Sequence, residues 1–494
     1  MKIPAFHLRR PPRRLALFGS IWLVATLFYG WTATSSADPF RFGITQGDPY
    51  NELSDGILSG HLYLPIVPAK ALVKLADPYD PYANAPYSAA IHDLALYHGH
   101  LYLPWGPTPA FTAFLPWRIL HVGQLPANLA VFGYGAIGLA CVLALFDVVL
   151  RRFAPACSSW KAGLGAVALA CSNVIPYLLR RPIVYEVAIS SGYCFASAGL
   201  ACLGFAVFGR RRQILSLVFG GLFLGLAAGS RFDLLVLGGF VAAVAIVMAR
   251  RVRTDGRRAM VRVAAPAAVA WATVVAGVFT YNALRFGSPL EVGASYQLAG
   301  IDPTKTPLHD FGYIGPSLYY YFVAPVRWVL AFPFTALPPP PAYPGHPPST
   351  YAVEIVGGML TTTPIILILP LAFVLRRRID RGLLLAVVLS ITAGCLLAIG
   401  IALSVPGSTM RYEVDFATLF VLPAVCCWCV WRPTRAIPRR AAAAVGAVFI
   451  VVGAFVGLSI SIPGPDDELR NGNPISYEAI ESATEWLPTL VSKV

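Results

Sequence analysis

The stretch that decides the fold runs from Gln213 to Ala249 and reads QILSLVFGGLFLGLAAGSRFDLLVLGGFVAAVAIVMA. It is almost twice as long as the roughly 20 apolar residues that a helix needs to cross a bilayer. One polar phrase, Gly229-Ser230-Arg231-Phe232-Asp233, interrupts it, and arginine clusters flank it at 210–212 and 250–253. The stretch therefore predicts two membrane-spanning helices joined by a tight turn.

The composition of the whole chain agrees with a membrane protein. Of its 494 residues, 57% are hydrophobic and 13% are charged, whereas soluble domains carry about 25% charged residues. The net charge of +14 does not indicate nucleic-acid binding, because the basic residues form short clusters between apolar runs, as the positive-inside rule describes. These clusters are Arg9, Arg10, Arg13 and Arg14; Arg151 and Arg152; Arg210 to Arg212; Arg250, Arg251 and Arg253; Arg376 to Arg378; Arg439 and Arg440.

We therefore predict an all-α polytopic membrane protein with about eleven transmembrane helices and a cytoplasmic N-terminus. Residues 1–462 form one transmembrane domain, 36–125 and 284–352 are long extracytoplasmic segments with interfacial helices, and 463–494 is an extracytoplasmic tail. The first span is read as a retained helix rather than a cleaved signal peptide. None of the nine cysteines falls in a predicted outer segment, and the crowded Cys426, Cys427 and Cys429 are read as buried apolar residues rather than a metal site. The predicted spans are about 15–35, 126–150, 162–179, 184–209, two within 213–249, 261–283, 354–375, 382–405, 416–431 and 441–462.

The first outer segment carries a repeated phrase. Gly-His-Leu-Tyr-Leu-Pro occurs at 60–65 and again at 99–104, and acidic residues precede each copy. Asp48, Glu52 and Asp55 are spaced so that a helix would place them on one face. These acids are either the solvated face of an interfacial helix or part of a site. The aromatic residues of 312–335 are likewise either membrane anchors or the wall of a groove.

Several phrases together resemble the GT-C superfamily of membrane glycosyltransferases, most closely the branch of protein O-mannosyltransferases and lipid A aminoarabinose transferases. The likeness covers roughly residues 15–430 and lies in the order of the phrases and their placement at predicted outer helix ends. The matching phrases are Gly47-Asp48-Pro49-Tyr50, Leu53-Ser54-Asp55-Gly56-Ile57-Leu58-Ser59-Gly60, Trp105-Gly106-Pro107-Thr108-Pro109-Ala110, Gly229-Ser230-Arg231-Phe232-Asp233, Tyr281-Asn282-Ala283-Leu284-Arg285-Phe286-Gly287-Ser288-Pro289 and Arg411-Tyr412-Glu413-Val414-Asp415-Phe416.

The resemblance implies a hexosyl or pentosyl transferase that uses a polyprenyl-phosphate-linked sugar, with inversion at the anomeric carbon and an extracytoplasmic active site. It implies a glycan, lipid or protein acceptor, contact with membrane lipids, no cofactor and no metal. The expected location is the cell inner (plasma) membrane, with a cytoplasmic N-terminus and an extracytoplasmic C-terminus. Asp48 is the candidate general base and Asp93 the second catalytic acid, although each could instead cap a helix.

The candidate substrate-binding residues are the cations and their neighbours at predicted outer helix ends. Arg231 is the first candidate for the donor phosphate, because a charge inside an apolar stretch is costly unless it is paired or used. Its alternative role is pairing with Asp233. The other candidates are Arg180, Arg181, Tyr185, Glu186, Arg285 and Arg411, and the last two arginines could instead pair with Glu291 and Asp415.

Two other functions are compatible with a chain of this composition. A transporter or flippase for a lipid-linked glycan would also span the membrane many times, but such proteins usually show repeated halves and midplane polar residues. No matching halves are apparent here, and the polar residues collect at one predicted face. A non-catalytic membrane scaffold would not require Asp48, Asp93 and Arg231 to lie on the same side.

The topology is testable with reporter fusions. We expect a reporter placed after Val494 to lie outside the cytoplasm and one placed near Arg257 to lie inside, because an odd number of spans separates the two positions. Paired alkaline phosphatase and green fluorescent protein fusions measure this directly. If both positions reported the same compartment, the predicted arrangement of spans would be wrong.

Overall fold

The computed structural model describes residues 12–44, 47–120, 123–208, 213–249, 256–337, 343–374, 379–431 and 439–486. Within these ranges, nine helical stretches are long and apolar enough to cross a membrane, and each contains one main helix. The main helices are α1 (Pro12–Thr34), α2 (Ala127–Phe153), α3 (Ser159–Cys171), α4 (Val184–Phe208), α5 (Gln213–Ser230), α6 (Gly256–Phe286), α7 (Arg381–Ser404), α8 (Val414–Val430) and α9 (Arg439–Ser461). The chain is thus a multi-pass helical membrane protein, as predicted.

Helix α5 shows how small residues bring these helices together. Gly221, Gly225 and Gly229 recur every four residues and lie on one face of α5. A Cβ atom added at Gly221 would lie 2.0 Å from the backbone oxygen of Ala267 in α6, so the two backbones are in direct contact. Where lipid surrounds the protein, such close approach gains van der Waals contact that larger side chains would prevent.

The break predicted after Gly229 is present. Helix α5 ends at Ser230, Arg231 has an extended backbone, and a 3₁₀-helix begins at Phe232. A Cβ added to Gly106 would lie 2.0 Å from the Gly229 carbonyl oxygen. The loop that contains Trp105 and Gly106 therefore packs directly against the end of α5.

The bundle has two chemically different ends. At one end, Arg14 at the start of α1 donates to the Cys157 carbonyl oxygen, and Gly382 at the start of α7 lies near Phe153 at the end of α2. At the other end meet the end of α5, the start of α8 and the loop around Trp105, and this end carries Asp93, Asp233 and Asp415. We call these the basic end and the acidic end.

The count of eleven spans is not confirmed, because two predicted spans are shorter and irregular helices. The stretch after Arg231 is a 3₁₀-helix followed by a 12-residue helix, and predicted span 354–375 is divided into three short pieces. Four stretches used in the prediction fall outside the described residues. They are the arginine clusters at 210–212, 250–253 and 376–378 and the proline-rich residues 338–341. These shorter helices are Phe232–Leu237, Gly238–Ala249, Met359–Thr362, Pro364–Ile368 and Leu369–Val374.

Residues 36–125 and 284–352 contain short helices, as expected, and the chain also forms three pairs of short strands that the sequence did not predict. The antiparallel pairs are β1 (Ala95–Tyr97) with β2 (His100–Tyr102) and β3 (Arg327–Trp328) with β4 (Thr335–Ala336); β5 (Ala352–Val353) pairs in parallel with β6 (Gly407–Ser408). The remaining short helices are Pro49–Leu58, Lys70–Val73, Pro81–Ser88, Ala110–Phe114, Leu115–Leu120, Ile175–Leu178, Ala294–Tyr296, Phe311–Tyr313, Ile314–Leu318, Tyr319–Val323, Met410–Glu413, Pro465–Asp467, Glu468–Gly472 and Pro474–Thr484.

Candidate active site at the acidic end of the bundle

Arg231 is held at the acidic end by two carboxylates. Its Nη2 lies 2.9 Å from Oδ2 of Asp415 and 3.7 Å from Oδ2 of Asp233. The Asp415 side chain is fully buried and that of Arg231 is 10% exposed. The expected pairing with Asp233 is therefore secondary to a pairing with Asp415, which lies at the start of α8.

Arg411 forms a second cationic centre beside the first. Its two terminal nitrogens donate to the two oxygens of Glu354 at 2.8 and 3.1 Å. The guanidinium carbons of Arg231 and Arg411 lie 4.8 and 5.6 Å from the centre of the same Tyr412 ring. Arg411 therefore pairs with Glu354 rather than with Asp415, and the two arginines are neighbours across one aromatic ring.

Each of these arginines retains a buried N–H group that has no partner. Among the described residues, Nε of Arg231 and Nε of Arg411 make no hydrogen bond. Buried N–H groups are rarely left unpaired, because their desolvation is then not compensated. A phosphate oxygen is a suitable acceptor for a group of this kind. Nε of Arg181 and Nε of Arg285 are unpartnered in the same way.

Asp93 lies next to Arg411 through a shared tyrosine. The Tyr185 hydroxyl donates to Oδ2 of Asp93, and the Tyr185 ring lies under the Arg411 guanidinium at 4.8 Å. Nε2 of His92 is 3.7 Å from Oδ1 of Asp93, and the Trp105 ring meets the Tyr185 ring edge to face at 4.9 Å. Asp93 is thus brought together with the arginines and does not cap a helix.

Asp48 does cap a helix, as the alternative interpretation expected. Its Oδ1 accepts the N–H groups of Tyr50 at 2.9 Å and Asn51 at 3.1 Å, at the start of the helix Pro49–Leu58. Among the described residues, Oδ2 has no hydrogen-bond donor. Burial raises the pKa of the Asp48 carboxyl to about 6, and the hydrogen bonds from Asn51 and Tyr50 oppose that rise only in part. Capping therefore leaves one carboxylate oxygen available.

A third arginine connects the C-terminal residues to the site. Arg181 lies 3.2 Å from Asp466 and 3.7 Å from Glu186. Glu186 is near enough to Arg411 and Arg181 to interact electrostatically with both. One charged network therefore joins Asp93 to five of the predicted substrate-binding residues. These are Arg181, Tyr185, Glu186, Arg231 and Arg411.

Arg180 and Arg285 lie apart from this network. Arg180 donates to the Ser461 carbonyl oxygen and the Ser35 hydroxyl, and its guanidinium lies over the Trp31 ring at 4.7 Å. Arg285 donates to the Leu103 carbonyl oxygen and to Asn282, not to Glu291. These contacts give both arginines a role in joining outer loops to helices, and their substrate-binding roles stay predictions.

The partners in the network that the sequence did not single out as site residues include Glu354, Asp415 and Asp466. Glu354 lies at the start of a predicted span, where an acid is unremarkable, and only the fold brings it to Arg411. The sequence offered Asp415 as an alternative partner of Arg411, whereas in the structure it pairs with Arg231. Trp105 occurs in a phrase that the sequence did identify, and its role as a wall beside Tyr185 follows from the close packing of Gly106 on α5.

Comparisons with known proteins give structural matches alone: no family model and no curated protein matches the sequence. An oligosaccharyltransferase from Archaeoglobus fulgidus is similar with a TM-score of 0.47 and 14% identity, over 95% of this chain and 57% of that one. ArnT from Cupriavidus metallidurans is similar with a TM-score of 0.45 and 12% identity, over 94% of this chain and 79% of that one. Its structure bound to undecaprenyl phosphate gives 0.42 and 13%, over 95% and 80%.

These matched proteins have the GT-C fold. The chain spans little more than half the length of the oligosaccharyltransferase.

The Arg231–Asp415 pair should be important for stability. We expect Asp415→Asn to destabilise the protein by about 3–5 kcal/mol, because it leaves a buried guanidinium without its main counter-charge. Asp233→Asn is the matched control and should cost much less, since Asp233 is 26% exposed and lies 3.7 Å away. Thermal unfolding of the purified protein in detergent measures both, and equal losses would contradict the assignment of Asp415 as the main partner.

Proposed function

We propose that this protein is a glycosyltransferase that moves a sugar from a polyprenyl-phosphate-linked donor to an acceptor hydroxyl at the acidic end of the bundle. The observation that carries this proposal is the pair Arg231 and Arg411, each with an unpartnered Nε–H, beside the carboxylate of Asp93. If the acidic end faces away from the cytoplasm, sugar nucleotides are absent there. The sugar must then arrive on a lipid whose phosphate lies at the membrane surface, where these arginines can bind it.

The two arginines are suited to a charge that grows during the reaction. As the acceptor oxygen bonds to the anomeric carbon, the bond from that carbon to the phosphate oxygen breaks, and its electron pair stays on the leaving phosphate. Fixed guanidinium groups stabilise that charge without rearranging. Glu354 is 54% exposed, so water can solvate it if phosphate displaces it from Arg411.

We assign the general base to Asp48 and a positioning role to Asp93. The free oxygen of Asp48 would take the proton of the acceptor hydroxyl as that hydroxyl attacks, which inverts the anomeric centre. A pKa of about 6 keeps Asp48 mostly ionised at neutral pH and makes it a stronger base than an ordinary aspartate. Asp93 already accepts the Tyr185 hydroxyl and is better placed to orient the acceptor.

The phosphate site can be tested without knowing the sugar. We expect Arg411→Ala to weaken binding of farnesyl phosphate to the protein in nanodiscs by roughly 10- to 100-fold, since hydrogen bonds to charged groups contribute about 1.5–3 kcal/mol. The variant should fold, because the half-exposed Glu354 can be hydrated when its partner is lost. Arg470→Ala, which removes an exposed arginine from the C-terminal helices, should leave the affinity unchanged. Unchanged affinity in Arg411→Ala would remove the basis of the proposal.

The base is tested by Asp48→Asn. We expect transfer to fall at least about 100-fold, because asparagine cannot accept a proton, while folding persists, because Asn and Asp cap helices about equally well. Asp80→Asn is a closely matched control, since Asp80 caps the helix Pro81–Ser88 in an identical Asp-Pro-Tyr phrase.

The pH dependence gives a second test of the base. The unsubstituted protein should lose activity about tenfold per pH unit below pH 6, as the raised pKa of Asp48 requires. Release of polyprenyl phosphate from the labelled donor measures the rate. Normal turnover by Asp48→Asn would transfer the role of base to Asp93.

A further inference from the structure

The second copy of the repeated phrase forms a hairpin whose two faces differ. Strands β1 and β2 pair Tyr97 with His100 and Leu96 with Leu101. Leu96 and Leu101 are buried on one face of the hairpin. The opposite face, which we call the outer face, carries Ala95 and Tyr102, both buried against Phe286, and nearer the turn the partly exposed Tyr97 and the exposed His100. His98 and Gly99 join the strands with φ angles of 49° and 77°, as the tight turn of a two-residue hairpin requires.

The outer face of this hairpin carries stacked aromatic rings. The Tyr63 ring, from the first copy of the phrase, stacks on His100 with centroids 4.1 Å apart. The Tyr97 ring stacks on His98 at 4.0 Å and lies 4.5 Å from the Tyr296 ring of the second outer segment. We call these five residues, Tyr63, Tyr97, His98, His100 and Tyr296, the aromatic platform.

The platform combines apolar ring faces with polar groups that have no protein partner. His98 and His100 are exposed, and the three tyrosines are partly exposed. Among the described residues, no hydrogen-bond partner is found for the hydroxyls of Tyr63, Tyr97 and Tyr296. A purely apolar ligand would leave these groups unsatisfied. A sugar ring suits both kinds of group, because its C–H bonds pack on the electron-rich face of an aromatic ring and its hydroxyls hydrogen-bond at the ring edges.

The platform begins where the candidate active site ends. Asp93 lies two residues before β1, and Trp105 follows shortly after β2, so the base of the hairpin is at the acidic end of the bundle. Asp93 is fixed there by its N–H bond to the Leu298 carbonyl oxygen at 2.9 Å. Three residues per strand extend the hairpin by about 10 Å, which is the length of about two sugar rings.

We propose that the aromatic platform binds the acceptor and that the acceptor is an oligosaccharide, which Asp93 orients at the active site and whose next rings stack along the hairpin. This inference rests on the proposed glycosyl transfer and specifies the acceptor for it. Both copies of Gly-His-Leu-Tyr-Leu-Pro contribute to the platform, the first through its tyrosine, Tyr63, and the second through its histidine, His100.

Binding can be measured without donor or turnover, by saturation-transfer NMR on the full chain in nanodiscs. The probes are linear hexasaccharides of mannose, galactose, arabinofuranose and N-acetylglucosamine, each compared with its monosaccharide. We expect irradiation of the aromatic protons to saturate ring protons of at least one hexasaccharide. Tyr63→Ala and the milder His100→Ala should each reduce that signal at least fivefold. Tyr82→Ala, which removes a 92% exposed tyrosine outside the platform, should not reduce it.

The assignment would be overturned by any one of three results. The first is that none of the hexasaccharides receives saturation, the second that the Tyr63→Ala and His100→Ala variants retain the full signal, and the third that the platform faces lipid. The last is read from a His98→Cys variant carrying a fluorophore, which lipids brominated near the headgroup would quench. If Arg411→Ala and Asp48→Asn left donor binding and transfer intact while the platform still bound a hexasaccharide, the proposed reaction would fail and the binding surface would remain.

Discussion

A charge inside a membrane protein is costly unless a counter-charge or hydrogen bonds compensate it, and Arg231 is compensated by two carboxylates. It follows α5 directly, and its counter-charge, Asp415, is fully buried at the start of α8. The pair therefore fixes the ends of two helices that are far apart in sequence. The Trp105–Gly106 loop rests on the same helix end, at Gly229, so the wall beside Tyr185 depends on where α5 stops. Arg411 and Tyr412 precede Asp415 by a single turn, and their positions follow from the same pairing.

Arg231 and Arg411 differ in how deeply their partner carboxylates are buried. Arg231 faces a buried carboxylate that water does not reach, whereas Arg411 faces Glu354, which is half exposed and comes from a loop. A ligand phosphate can replace an exposed carboxylate at small cost, because the released carboxylate is solvated. It cannot replace a buried one without stranding that charge. The acidic end thus contains one arginine that pairs with a buried carboxylate and one that pairs with a half-exposed carboxylate, on either flank of Tyr412.

The sequence predicted those features that depend on local composition. Long apolar runs gave the spans, and the polar phrase at 229–233 gave the break after α5, because helix length and charge are read directly along the chain. The irregular helix around Pro364 was not predicted, because hydropathy does not report helix geometry. Partner choice also escaped prediction: Arg411 pairs with Glu354, 57 residues away, and not with the nearby Asp415. Such choices are made by packing between distant segments.

The two acids that the sequence proposed for catalysis are distinguished by their surroundings rather than by their motifs. Asp48 uses one oxygen to cap a helix and is buried enough to raise its pKa to about 6, so it combines a fixed orientation with a useful basicity. Asp93 has a left-handed backbone with φ of 64°, which turns the chain directly into the hairpin of the aromatic platform. The structure therefore distinguishes the two acids by how each is held, since Asp48 is fixed by the helix that it caps and Asp93 by the start of the hairpin.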